Sequence, residues 1–134
     1  MARWLMKSEP GTYSWNDLVR DGGTEWDGVR NPAARLHLRA MKAGEEAFFY
    51  HSGDERSVVG IMRIARAGQP DPGDENWVSV AVEPVRPVAA VKLKAIKADP
   101  RLAGMELIRQ SRLSVAPVRD EEWAAVLELA REAG

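Results

Sequence analysis

Cysteine is absent from this chain. That excludes disulfides and thiolate metal sites and suits a reducing compartment. Only two histidines are present, which leaves little for a zinc site. No apolar run is long enough to span a bilayer, and Met1-Ala2-Arg3-Trp4 leads straight into a strand-like pattern with no apolar signal segment. A cytoplasmic chain with no membrane attachment is therefore expected. A surplus of either charge is missing too, since 19 basic and 20 acidic residues leave a net charge of −1. A protein that coats nucleic acid by charge alone is normally strongly basic. Any nucleic-acid binding here needs a local basic patch and a specific pocket.

What the chain does have is apolar material. Hydrophobic residues make up 45% of its 134 positions, enough for the core of one domain spanning residues 1–134 and too many for disorder. Five tryptophans are many for this length. Tryptophan serves as core, stacking surface or interface anchor.

Arg3 to Lys7 reads as a buried strand ended by Pro10 and Gly11. Ser14 with Asp17 three residues on forms a capping-box pattern that opens a short helix, and Asp21-Gly22-Gly23 stops it. Trp26 to Arg30 reads as a loop. Asn31 before Pro32 starts a helix reaching about Lys42 and closed by Gly44, with Ala33, Leu36, Ala40 and Met41 as its apolar stripe. Arg35, Arg39 and Lys42 share one face of it. Glu46 to His51 and Ser57 to Ala65 read as strands, and Gly60 marks a bulge or a close approach. Gly68 to Asn76 reads as a polar loop. Trp77 to Val85 alternates as a strand, with Val78, Val80 and Val82 on one face. Short helical segments follow to Ile108, then a strand at Leu113-Ser114-Val115. A final helix from Asp120 carries Trp123, Val126, Leu127 and Ala130 at helical spacing. Strands mixed with short helices, without regular β-α alternation, point to an α+β, barrel-like domain.

Catalytic signatures are missing. There is no G-x-S-x-G, P-loop, H-E-x-x-H or G-x-G-x-x-G string. Asp71 to Glu75 lacks calcium-loop spacing, and no metal or cofactor is expected. His51, Ser52 and Asp54 are neighbours in sequence, which is no evidence for a triad, because a triad is spatial.

Four strings resemble the EVE-domain family, in its order and across nearly the whole chain. They are Trp4-Leu5-Met6-Lys7-Ser8-Glu9-Pro10; Trp26-Asp27-Gly28-Val29-Arg30-Asn31 with Ala34-Arg35; Phe48-Phe49-Tyr50-His51-Ser52; and Ser111-Arg112-Leu113-Ser114-Val115 with Pro117-Val118 and Glu121-Glu122-Trp123. The resemblance implies a PUA-like pseudo-barrel related to YTH readers. It also implies a non-catalytic reader of a modified base, either modified cytosine in DNA or a modified RNA or tRNA nucleotide. The chain departs from the family pattern at Pro32 and Ala33, where relatives have an aromatic and a polar residue. It departs again at Gln110, often tyrosine in relatives, and in its short segment from Gly68 to Asn76.

A base reader must stack the base, bond its edge and leave room for the modification. Trp26 beside Gly28 is the expected stacking surface, with Val29 and Arg30 next to it. Trp26→Ala is expected to abolish selective binding and leave the fold intact. Ser8 can bond a base edge, and Lys7 a phosphate. Asn31 combines an N-cap with the anion-binding start of a helix that also carries Arg35. Tyr50, His51 and Ser52 are expected as a second wall, and Gln110, Ser111, Arg112 and Leu113 as the other side. Trp4, Trp15, Trp77 and Trp123 are read as core. The alternatives are an enzyme acting on modified nucleic acid and a protein-interaction module docking through the tail helix.

Overall fold

The computed structural model describes residues Met1 to Gly134. In chain order the elements are β1 (Arg3–Ser8), α1 (Trp15–Asp21), β2 (Thr24–Trp26), α2 (Pro32–Ala40), β3 (Glu46–His51), β4 (Ser57–Asp71), β5 (Asp74–Lys92) and α3 (Leu93–Ala98). A 3-10 turn (Pro100–Leu102), α4 (Glu106–Arg109), β6 (Val115–Val118) and α5 (Asp120–Ala133) complete the chain.

Side-chain caps start the two helices near the N-terminus. Ser14 Oγ accepts from Asp17 N at 3.1 Å, and an Asp17 carboxylate oxygen accepts from Ser14 N at 2.9 Å, the reciprocal pair of a capping box. Asn31 Oδ1 accepts from Ala34 N at 3.0 Å, and Pro32 takes the first helical position. Helix α2 stops at Ala40, short of the expected end, because Met41 turns extended and is buried. Its apolar stripe also differs from the expectation. Ala34, Leu38 and Met41 are buried, whereas Leu36 is 61% exposed and Ala33 and Ala40 face solvent. The 34–38–41 face enters the first core, and burial there outweighs the apolar character of Leu36, which points away from it.

Three strand assignments are corrected. Trp26 ends a short strand, β2, paired antiparallel with β5, rather than opening a loop. Residues Gly68 to Asn76 are the tip of a long hairpin, with β4 running to Asp71 and β5 resuming at Asp74. Side chains at this tip are mostly exposed, so backbone pairing rather than an alternating pattern builds it. Strand β6 begins at Val115 and contains Pro117. It lies at the sheet edge and pairs only with β1, where a missing N–H is tolerated.

The six strands form one sheet in the order β2-β5-β4-β3-β1-β6, with β1 parallel to β3 and the other pairs antiparallel. Helix α2 touches β6 at one edge and β4 and β5 towards the other. The sheet therefore curls around α2 into a barrel-like body. Alternation divides its side chains between two cores. Trp4, Met6, Phe49, Met62, Ile64, Val78, Val80 and Val82 face α1 and α2. Leu5, Phe48, Tyr50, Val58, Ile61 and Val91 face α3 to α5. In the second core the Phe48 and Trp123 rings stack 3.8 Å apart, a contact of the kind that contributes about 0.5–1.5 kcal/mol beyond area burial. Trp4, Trp15 and Trp123 are core residues as expected. Trp77 is not. It is half-buried on the long hairpin, with the Arg30 and Arg35 guanidiniums 5.7 and 4.7 Å from its ring centre.

Candidate nucleic-acid interface

Where β1 ends, the chain leaves the sheet through Glu9 and turns to Tyr13, just ahead of α1. Beside it, β2 ends at Trp26 and continues through Asp27 and Gly28. These two departures bound a cavity of about 500 Å³ that also takes in Lys7, Ser8, Thr24, Arg30 and Ser114. Its size falls in the usual range for small-ligand pockets, about 300–1,000 Å³.

Trp26 lines the cavity but is only 9% exposed. Phe49 meets its ring edge-on, with centroids 5.6 Å apart at 83°. The indole is thus a rigid wall held by the first core. Its burial contradicts the expectation that Trp26→Ala leaves the fold intact, since emptying such a site costs about 3–5 kcal/mol.

The loop after Trp26 is braced by Asp71 on the long hairpin. One Asp71 carboxylate oxygen accepts from Gly28 N at 2.9 Å and from Arg30 Nη1 at 3.1 Å, and the other accepts from Gly73 N at 2.7 Å. Burial alone would raise the Asp71 pKa. The Arg30 guanidinium and the two backbone N–H groups reverse that and hold it at about 2. Gly28 has φ 76 with open space where a Cβ would point, so backbone conformation and not crowding calls for glycine there. Glu25, at the cavity wall, accepts two hydrogen bonds from Arg66 and one from Ser79 Oγ. The Arg66 bonds hold its carboxyl below the ordinary carboxylate value despite partial burial.

The remaining expected residues separate into those at the cavity and those elsewhere. Lys7 and Ser8 line it, both with internal partners. Lys7 Nζ donates to Ser111 O at 2.8 Å, and desolvation lowers its pKa. Ser8 Oγ donates to Tyr13 O at 2.5 Å. Val29 and Arg30 also line the cavity. Asn31 lies just outside it. With Ala33, Gln110, Ser111, Arg112 and Leu113 it lines a separate, shallower depression of about 340 Å³. The expected far wall thus forms a neighbouring surface tied to the cavity through Lys7. Arg35 lies across Trp77 and donates to Asn76 O at 3.1 Å.

Tyr50, His51 and Ser52 do not line the cavity. Strand alternation turns Tyr50 into the second core, on the opposite face of the sheet. His51 is buried with both ring nitrogens engaged: Nε2 accepts from Trp15 N at 3.0 Å, and Nδ1 faces Glu55. The Trp15 N–H needs an acceptor, so the ring proton sits on Nδ1. No ring nitrogen remains to activate Ser52, whose N–H donates to Ser8 O at 2.9 Å. Nowhere do three His, Asp or Glu side chains converge as metal ligands would.

Sequence reasoning missed Tyr13, Glu9 and Asp27 at the cavity and Asp71 behind it. Tyr13 lines the cavity, whereas Tyr50 reaches it only through Lys7, whose ammonium lies 5.8 Å from the Tyr50 ring centre. An aromatic in the polar stretch right after the β1 motif was the available signal. Asp71 had none, because its role depends on a hairpin that brings it 43 residues back to Gly28.

The EVE domain model matches residues 2–129. The chain belongs to the EVE domain family. Human thymocyte nuclear protein 1 is 38% identical to this EVE domain, over 96% of this chain and 73% of the human protein. Rpa0253 of Rhodopseudomonas palustris superposes with a TM-score of 0.93 at 45% identity, covering 100% of this chain and 96% of that one. Human THYN1 in complex with 5-methylcytosine-containing DNA superposes with a TM-score of 0.90 at 35% identity, covering 97% of this chain and 98% of that one. The α+β, PUA-like architecture of this EVE domain agrees with these neighbours.

Proposed function

We propose that this chain acts as a single-domain, cytoplasmic, non-catalytic reader that takes one modified base of a nucleic-acid strand into the cavity lined by Tyr13 and Trp26. The cavity carries this reading. It combines two aromatic walls with the carboxylates of Glu9 and Asp27, neither of which has an ion-pair partner. Carboxylates accept from exocyclic amino groups, as Glu and Asp do from cytosine N4. The human relative solved with 5-methylcytosine DNA supports modified cytosine as the first candidate, and a modified RNA nucleotide is the competing ligand.

Apolar contact with one methyl group contributes about 1–3 kcal/mol of discrimination, roughly 10–200-fold. The test is fluorescence anisotropy on DNA and RNA oligonucleotides with and without 5-methylcytosine, alongside nucleoside enrichment from cellular RNA and sheared DNA on immobilised protein. Wild type should prefer one modified base by at least about tenfold and return the oligonucleotide unchanged in the presence of magnesium. Trp26→Phe keeps the wall apolar and should lose most of the preference while still unfolding cooperatively. Absence of preference in both assays would sink the reading, and a converted product would favour an enzyme.

A further inference from the structure

Three of the five lysines, Lys92, Lys94 and Lys97, cluster at the end of β5 and along α3. With Arg56 they line a cleft of about 400 Å³ whose rim also carries Asp54 and Glu55. All four cations are exposed, and none forms an ion pair, whereas eight arginines elsewhere are paired with carboxylates. Glu55 is drawn to His51. The cleft is therefore a concentration of positive charge on a chain whose net charge is −1.

The fold holds this cluster against the base cavity. Arg56 O accepts from Leu93 N at 2.7 Å, fastening the start of α3 to the β3–β4 turn, and Arg56 Nε donates to Gly53 O at 3.2 Å. Arg56 does this from a left-handed conformation, φ 43, that side chains rarely adopt. On its other side the same turn abuts the cavity wall. Ser52 N donates to Ser8 O at 2.9 Å, and Gly53 packs against the carboxylate of Glu9. Cavity and cleft flank one turn.

We propose that this cleft binds backbone phosphates of the strand whose base occupies the cavity. This rests on the modified-base reading. Lysine ammoniums are compact point charges that hold phosphate without reading sequence, so the cleft positions the strand while the cavity selects the base.

The test compares wild type with Lys94→Gln/Lys97→Gln and with a charge-matched control on another surface, Arg86→Gln/Arg131→Gln. Affinity for a 5-methylcytosine oligonucleotide is measured against potassium chloride, with the free modified nucleoside and inorganic phosphate as separate ligands. Each lost phosphate contact lowers the slope of log affinity on log salt by about 0.7–0.9. The lysine pair should reduce it by about 1.5, with selectivity and nucleoside affinity unchanged and the control slope equal to wild type. Selective binding with an unaltered slope overturns the cleft alone. Unselective binding whose slope drops in the lysine variant supports the cleft and removes the base reading. Binding of inorganic phosphate with no slope change makes it a free-anion site and overturns the proposal. No nucleic-acid binding by wild type overturns both readings.

Discussion

Asp71 shows how one residue sets the shape of the site from behind. It touches no open part of the cavity, yet it holds Gly28 and Arg30 in the loop that continues from Trp26. Its carboxyl is held at about 2 in the folded protein, against an ordinary value of about 3.9 when unfolded. As pH falls, the unfolded chain takes up this proton first. Stabilisation from the pair is complete above about pH 4 and is lost as pH drops through 2. Asp71→Asn should lower the urea midpoint at pH 6, and the gap to wild type should close between about pH 4 and pH 2. A gap that stays constant over that range would show that the charge on Asp71 does not matter. Trp26 and Tyr50 carry the contrasting lesson. Both are aromatics in matching motifs, but pleat parity puts Tyr50 on the far side of the sheet while Trp26 keeps one face at the cavity.

At the scale of elements, Gly60 in β4 was legible as a close approach. The Trp15 ring at the start of α1 lies where a side chain would stand, and an added Cβ would come within 2.5 Å of it. Gly60→Ala should therefore force α1 off the sheet, destabilising by about 1–3 kcal/mol as overpacking does. Because α1 follows directly on Tyr13, base selectivity should fall as well. Thermal unfolding and the modified-to-unmodified affinity ratio check this, and unchanged values in both would mean that α1 is not held as described. The capped starts of α1 and α2 were legible because cap chemistry is local, needing only Ser14 with Asp17 or Asn31 with Pro32. Strand β2 and the hairpin tip were not. Three residues carry no period, and an exposed ladder leaves no hydrophobic pattern to read.

Across the whole molecule, the sheet separates two cores with different duties. The first core supports the cavity through Phe49 and Trp26, and the second holds α3 to α5 through Phe48 and Trp123. Trp123→Ala should cost about 3–5 kcal/mol of stability and leave the affinity ratio intact in the protein that remains folded. Denaturant titration with anisotropy at low temperature separates the two effects. A lost ratio at full foldedness would mean that the cores act as one unit. The tail helix α5 buries Trp123, Val126 and Ala130 in the second core, against its own sheet.

The sequence by itself determined the family, the α+β class, most element positions and the Lys7–Ser8 and Trp26–Arg30 segments that line the cavity. Those are set by contiguous motifs, short-range caps and strand periodicity. Only the tertiary structure decided which side of the sheet each side chain joined. It also brought Tyr13, Asp27 and Asp71 to Trp26, and placed Arg56 beside Lys92, Lys94 and Lys97. Such placements depend on pleat parity, bulges and hairpin length, which are fixed by packing between residues far apart in the chain and leave no trace in any short stretch of it.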